Sequence, residues 1–319
     1  MSGAVDPGPD NPDQGVPWHY GDPLREQRWL AAGTGVVNLG NRGVVCVAGS
    51  DRLTWLHDLT TQYLRDLAVG RSALALILDP QGHVEFELHM WDDGTTTWII
   101  TEPGAAGPLT AYLDSMRFLL DVQVADVSDD FGVIWTTLAQ PEDQFGWVVP
   151  EPFAARGLIG MQRAVPRSMV GQELAAGRPC GTWALEALRV GALMPRVHCD
   201  TDSRTIPNEV GWLGSAVHLS KGCYRGQETV AKVHNLGRPP RRLGLLHCSG
   251  SSEEPLRHGE VVEHEGRVVG WVGTGAQHYE FGSVAIAMLK RSLPPQAEVT
   301  VVSGDGTRHA CAQDPDLHT

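Results

Sequence analysis

The chain has 319 residues, a net charge of −13, and 42% hydrophobic and 7% aromatic residues. That is enough for two or three domains or one large multi-part fold, and the acidic balance argues against a general nucleic-acid surface. No apolar run approaches the roughly 18 residues needed to span a bilayer, and the polar start shows no signal peptide. These features predict a cytoplasmic protein without a nucleic-acid or membrane partner.

Residues 1–17 are rich in Pro, Gly and Asp and read as a disordered tail, since such a composition buries too little to offset ordering. Residues 22–33, "DPLREQRWLAAG", have helical periodicity and stop at glycine. "GVVCVAG" (43–49) is a β-branched strand. Residues 50–64 read as a helix capped by Ser50 or Asp51, with Leu53, Leu56, Leu59 and Leu64 on one face. Residues 73–101 read as hairpins. Asp79-Pro80-Gln81-Gly82 fits a type I turn, and Asp93-Gly94 a second turn. In the strand between them Val84, Phe86, Leu88 and Met90 alternate with Glu85, Glu87 and His89, which predicts a half-buried strand with its acids on the open face. Residues 107–120 return to helix and 122–138 to strand. Residues 167–193 read as two helices broken at "GRPCG". Residues 200–240 hold few periodic segments. From Leu243 onward, short strands between polar turns predict a small β module. The sum is α+β with antiparallel hairpins.

The cysteines Cys46, Cys180, Cys199, Cys223, Cys248 and Cys311 are scattered without a CxxC pair. They read as reduced thiols, and no spacing suggests zinc or another metal site. Arg238-Pro-Pro-Arg241-Arg242 reads as a solvated loop, with an anion site as the alternative. The densest chemistry is "SKGCYRGQET" (220–229). Lys221 and Arg225 would favour a Cys223 thiolate if their heads fold back on it, and Gly222 and Gly226 free the backbone. A buried, inert cysteine in a glycine turn is the competing reading.

"KGCYRGQE" resembles the K-G-C-[FY]-x-G-Q-E signature of the YgfZ family of folate-binding proteins, relatives of the glycine-cleavage aminomethyltransferase (T-protein). "VAGSDRLTWLHDLTTQYLRDLAVGRSALALILDPQGHVEFELHMW" is similar to that family's N-terminal block. "WALEALRVGALMPRVHCDTDSRTIPNEVGW" is similar to its central block, and the β module to its C-terminal barrel. The resemblance covers about residues 18–303. It implies a three-subdomain ring of the aminomethyltransferase/YgfZ type with a C-terminal β-barrel, divided as a tail (1–17), a folate-binding region (18–240) and the barrel with its tail (241–319). It further implies tetrahydrofolate or another reduced folate as cofactor, iron–sulfur client or assembly proteins as partners, and a monomer.

By the same resemblance Cys223 is the functional thiol, and Glu209, in "TIPNEVGW", falls where T-proteins bind the pterin ring. A carboxylate suits that ring because it accepts two parallel hydrogen bonds. Trp183, with Leu185 as the rival alignment, falls near a folate-contacting tryptophan. Arg189 could meet a folate carboxylate or an internal acid. Lys221 and Arg225 could neutralise the glutamyl tail. T-proteins follow G-G-[IV]-x-D-D in the hairpin, where this chain has Gly82-His83-Val84-Glu85-Phe86-Glu87. Glu87 could stand in for the aspartate, but a solvated strand face is the expectation. His198, His218 and His234 are expected to be structural or surface residues. The implied function is a tetrahydrofolate-binding protein supporting iron–sulfur cluster assembly or repair, without conventional turnover. The alternatives are a tetrahydrofolate-dependent aminomethyl- or methyltransferase using Glu87 or Cys223, and a folate-sensing module.

Overall fold

The structure, a computed structural model, describes residues 3–137, 145–249 and 254–314. The first two residues and the last five of the expected tails lie outside the described residues. Helix α1 (Pro23–Ala31) begins where the Asp22 side chain accepts a hydrogen bond from the Arg25 N–H. There follow β1 (Gly35–Asn38), β2 (Gly43–Ala48), α2 (Arg52–Leu59), β3 (Ser72–Leu78), β4 (Val84–Asp92), β5 (Thr96–Thr101), α3 (Ala106–Met116) and β6 (Gln123–Asp126). Next come β7 (Phe131–Thr136), β8 (Trp147–Val148), α4 (Glu151–Ala154), β9 (Met161–Pro166), α5 (Val170–Ala175), β10 (Arg178–Cys180), α6 (Thr182–Gly191) and α7 (Gln227–Leu236). The last six strands are β11 (Arg241–Cys248), β12 (Val261–His264), β13 (Arg267–His278), β14 (Gly282–Lys290), β15 (Val299–Val302) and β16 (Arg308–Gln313).

Two five-stranded sheets run in the orders β3-β4-β5-β2-β6 and β10-β1-β7-β9-β8, and the last six strands close a barrel. One face of the first sheet packs Leu88 and Met90 with Trp55 and Leu56 of α2 and Leu109 and Leu113 of α3. The other face meets the second sheet: His89 of β4 stacks on Trp147 of β8 at 3.7 Å between centroids. β4 is therefore covered on both sides, and the expected solvated face of Glu87 does not exist. Glu87 is 4% exposed and His89 6%. Alternation predicts two faces of different polarity but cannot say whether a second sheet lies on the polar one.

Four further expectations are corrected. Residues 3–17 are ordered against the fold rather than a tail: Asp13 and Val16 are buried, Val5 bridges to His19, and the Thr182 N–H donates to the Pro17 carbonyl. "GRPCG" is not a mere helix break, because its Arg178–Cys180 pairs in parallel with β1. The Arg238–Arg242 run is not a solvated loop throughout, since Arg242 is buried and Arg241 is held in ion pairs at the start of β11. Finally, Cys248 and Cys311 are directly opposed on β11 and β16 and form a disulfide, which spacing alone could not reveal.

Candidate functional site

The 220–229 loop is an arch with two anchors. Segment 215–221 is stitched to the end of α2: the Thr61 hydroxyl donates to the Ala216 carbonyl and the His218 N–H to the Thr61 carbonyl. Lys221 is buried and donates to the carbonyls of His57 and Thr60. It thus satisfies carbonyls at the helix end and sets a cation at the negative pole of the helix dipole. Burial pulls its ammonium down to about 8. Its ammonium is therefore committed to α2 and is not folded back on Cys223 as the thiolate argument required. On the other side, Gly226 (φ +79) opens α7. A Cβ there would stand 2.6 Å from the Asp79 carbonyl and 2.8 Å from Cα of Gly82, so only glycine lets the arch dock on the hairpin turn. Tyr224 is buried between the anchors, and Cys223 is left exposed and unpaired in a disulfide.

Arg225 reaches a cavity of about 720 Å³ beside the arch. Its walls include Glu85, Phe86, Tyr112, His198, Asp202 and Arg225 itself, whereas Cys223 is not among them. Arg225 pairs with Glu85 at 3.2 Å and lies over the Tyr112 ring. Phe86 and Tyr112 stand 6.2 Å apart. The volume is that of a small-molecule pocket. Two aromatic rings, acids that accept hydrogen bonds and one cation suit a flat ligand with a donor edge and a carboxylate. His198 is the one expected surface histidine found in this wall; His218 packs on Tyr63 at 5.5 Å between centroids and His234 sits in the last turn of α7.

The other expected ligand residues are not gathered here. Glu209 sits in the turn Pro207–Glu209 and is buried. Both its oxygens are held by Arg241, whose Nε and Nη2 donate at 2.8 Å each, and the Ile206 N–H donates to the second oxygen. Arg241 also donates to Asp202 of the cavity wall at 2.6 and 3.1 Å. Burial alone would raise the Asp202 carboxyl, but hydrogen bonds from Arg241 and Thr205 bring it down to about 2. Trp183 stacks on Trp18 at 5.4 Å, away from the cavity lining. Its rival Leu185 lies in the core. Arg189 is buried against Glu186 and Asp200 and donates to the Thr274 hydroxyl, which settles its partner as internal acid. Of the six expected site residues, only Arg225 lines the cavity.

Two groups were not foreseen. His89 lies between Glu87 and Gln162: its Nε2 is 3.1 Å from Glu87 Oε1 and its Nδ1 3.0 Å from Gln162 Oε1. The second Glu87 oxygen accepts the Val197 N–H at 3.2 Å. This ties β4 to the segment that carries His198 into the cavity wall. Arg241 is the other. Its signal was the basic run, read as a solvated loop or an anion site; in the structure Arg241 pairs with the carboxylates of Glu209 and Asp202.

No family model matches the chain. It is similar to the aminomethyltransferase of Rippkaea orientalis, 27% identical over 84% of this chain and 81% of that one. It is also similar to the aminomethyltransferase of a Nostoc species, 26% identical over 87% of this chain and 82% of the relative. Superposed on the crystal structure of glycine cleavage system aminomethyltransferase T from Bartonella henselae, it gives a TM-score of 0.82 over 99% of this chain and 95% of that one, at 18% identity. The fold is that of an aminomethyltransferase. Among the described residues no helix is long and apolar enough to cross a membrane, and no cluster of His, Cys, Asp or Glu is placed to hold a metal.

Proposed function

We propose that this protein binds a reduced folate and acts, like YgfZ-type proteins, in iron–sulfur cluster assembly or repair, with Cys223 as its functional thiol. The observation that carries the reading is the contrast between its two candidate reactive groups. Cys223 is presented at the surface by a doubly anchored arch. The acid at the hairpin, Glu87, is buried and has both oxygens engaged by His89 and the Val197 N–H. Proton transfer to a ligand needs a free group within hydrogen-bond reach, about 2.6–3.2 Å, and Glu87 is not so placed. When bound, the folate would supply a one-carbon unit or a redox-active pterin. Phe86 and Tyr112 would flank its flat rings, Glu85 and Asp202 would accept from its donor edge, and Arg225 would meet its glutamyl carboxylates.

The second reading, a tetrahydrofolate-dependent aminomethyltransferase, is favoured by the names of the relatives. One experiment separates the two. The purified protein is combined with the other glycine-cleavage components and tetrahydrofolate, and ammonia and methylenetetrahydrofolate are followed. In parallel, Cys223→Ser is tested for restoring iron–sulfur enzyme activity in a deletion strain. The proposal expects no aminomethyl transfer and loss of restoration in Cys223→Ser. Turnover that disappears in Glu87→Gln makes the transferase correct. Calorimetry showing no tetrahydrofolate binding removes both.

A further inference from the structure

Residues 3–12 of the N-terminal segment are mostly exposed, yet Asp13 is 2% exposed. Its carboxylate receives two parallel hydrogen bonds from Arg196, Nη2 to Oδ1 at 2.7 Å and Nη1 to Oδ2 at 3.0 Å. Arg42 stands behind the pair, joined to Glu102, which also accepts from Arg196 Nε at 3.1 and 3.0 Å. Burial would raise the Asp13 carboxyl, but the Arg196 charge, helped by Arg42 and Asn41, carries it below its ordinary value. Two features set this apart from an ordinary internal ion pair. First, the donors exceed what Asp13 uses: Arg42 Nε and the Asn41 Nδ2 amide are buried without a hydrogen-bond partner within reach. Second, the surrounding cluster does not need Asp13 for neutrality. Arg42, Arg189 and Arg196 are already matched in number by Glu102, Glu186 and Asp200. A fourth carboxylate brought in by an otherwise exposed segment can leave without stranding a net charge in the interior.

We propose that Arg196, Arg42 and Asn41 form a carboxylate-binding site and that Asp13 is its displaceable internal occupant. The ligand is a small carboxylate, free or at the end of a glutamyl chain. A carboxylate fits because the Arg196 fork offers two parallel donors, and the idle Arg42 Nε and Asn41 amide offer more to a ligand larger than an aspartate side chain. The tether gives Asp13 a high effective concentration, of the order of millimolar, so a free ligand displaces it only when it reaches that range or makes the extra contacts. The segment then lifts from residue 13 outward, which also opens the bridge between Val5 and His19, while Val16 and Pro17 stay on the fold through burial and the Thr182 N–H.

The test uses the full chain. Asp13→Ala is melted in sodium acetate, sodium glutarate, p-aminobenzoylglutamate, and sodium chloride at matched ionic strength. The expected result is a lowered melting temperature that rises by several degrees with the carboxylates but not with chloride. A larger rise with p-aminobenzoylglutamate than with glutarate assigns the glutamyl source, and the reverse assigns a free dicarboxylate. In the wild type, cutting by an endoprotease that cleaves before aspartate is followed at Asp13, against an unfolded reference peptide in the same buffers. Glutarate is expected to speed cleavage at least severalfold over chloride. Equal melting of Asp13→Ala in acetate and chloride overturns the site. If that variant does not fold, the wild-type protease arm decides alone, and unchanged cleavage overturns the proposal. Neither arm uses folate turnover or iron–sulfur rescue, so both outcomes stand whatever becomes of the function proposed above.

Discussion

Glu85 and Glu87 stand two residues apart on the same face of β4 and meet opposite environments. Glu85 lies at the rim, partly exposed, in a pair with Arg225 whose side chain is also 37% exposed. Glu87 lies where the second sheet covers the first, with His89 and Val197 as partners. The strand is the same, and so are the residue type and its orientation. What differs is how far β8 and β9 extend over the hairpin. The rim offers groups that can change partners at little cost, such as Arg225 and the neighbouring Cys223. The covered seam, like the buried turn that holds Glu209 under Arg241, offers groups whose partners are fixed because any unpaired charge there is desolvated.

Substitutions along this divide should show costs that fall from seam to rim. Arg241→Met is expected to be the most damaging, at about 3 kcal/mol, because it strands the buried Glu209 carboxylate; urea denaturation measures it. The same variant should flatten the acid limb of stability. Asp202, lowered to about 2 in the folded protein, contributes stability that is present above its unfolded value and is lost as pH falls from about 4 toward 2. A wild-type-like midpoint, or an unchanged acid limb, contradicts this assignment.

Glu87→Ala should cost about 2 kcal/mol, since the Val197 N–H and a His89 nitrogen lose their partner in a dry seam. If its cost matches that of Glu85→Ala, the distinction between seam and rim is wrong. Lys221→Gln should cost about 1 kcal/mol through the end of α2 and should change how stability varies with pH. Lys221 is depressed to about 8. The unfolded chain therefore binds more protons between about 8 and 10.5, and wild-type stability gains from this group as pH rises through that window. The gain should vanish in the variant, and a persistent one would trace to another group. Glu85→Ala is expected to be the mildest, at about 0.5 kcal/mol or less, as for other partly exposed pairs.

The legibility of the chain follows the same divide. The hairpin turn was readable because Asp79-Pro80-Gln81-Gly82 is local chemistry: the Gly82 N–H returns to the Asp79 carbonyl at 3.0 Å. α1, β2 and the β-rich end were readable from periodicity. α7 was not, because its start is set by Gly226 docking on a turn 144 positions away in a different subregion. Cys223 was singled out by its motif, and the structure leaves it exposed rather than packed. Lys221 was singled out for the wrong contact, and Glu209 was named without the arginine that holds it.

The sequence by itself determined most of the helices and strands, the hairpin turns and the short list of unusual residues, since each depends on neighbours within a few positions, and its composition fixed the acidic net charge. Only the tertiary structure decided which of those residues face one another. Arg241 reaches Glu209 across 32 positions, Lys221 reaches His57 across 164, and Arg196 reaches Asp13 across 183. A buried charge takes whichever opposite charge the packed sheets bring within reach, and that choice has no signature in the local pattern.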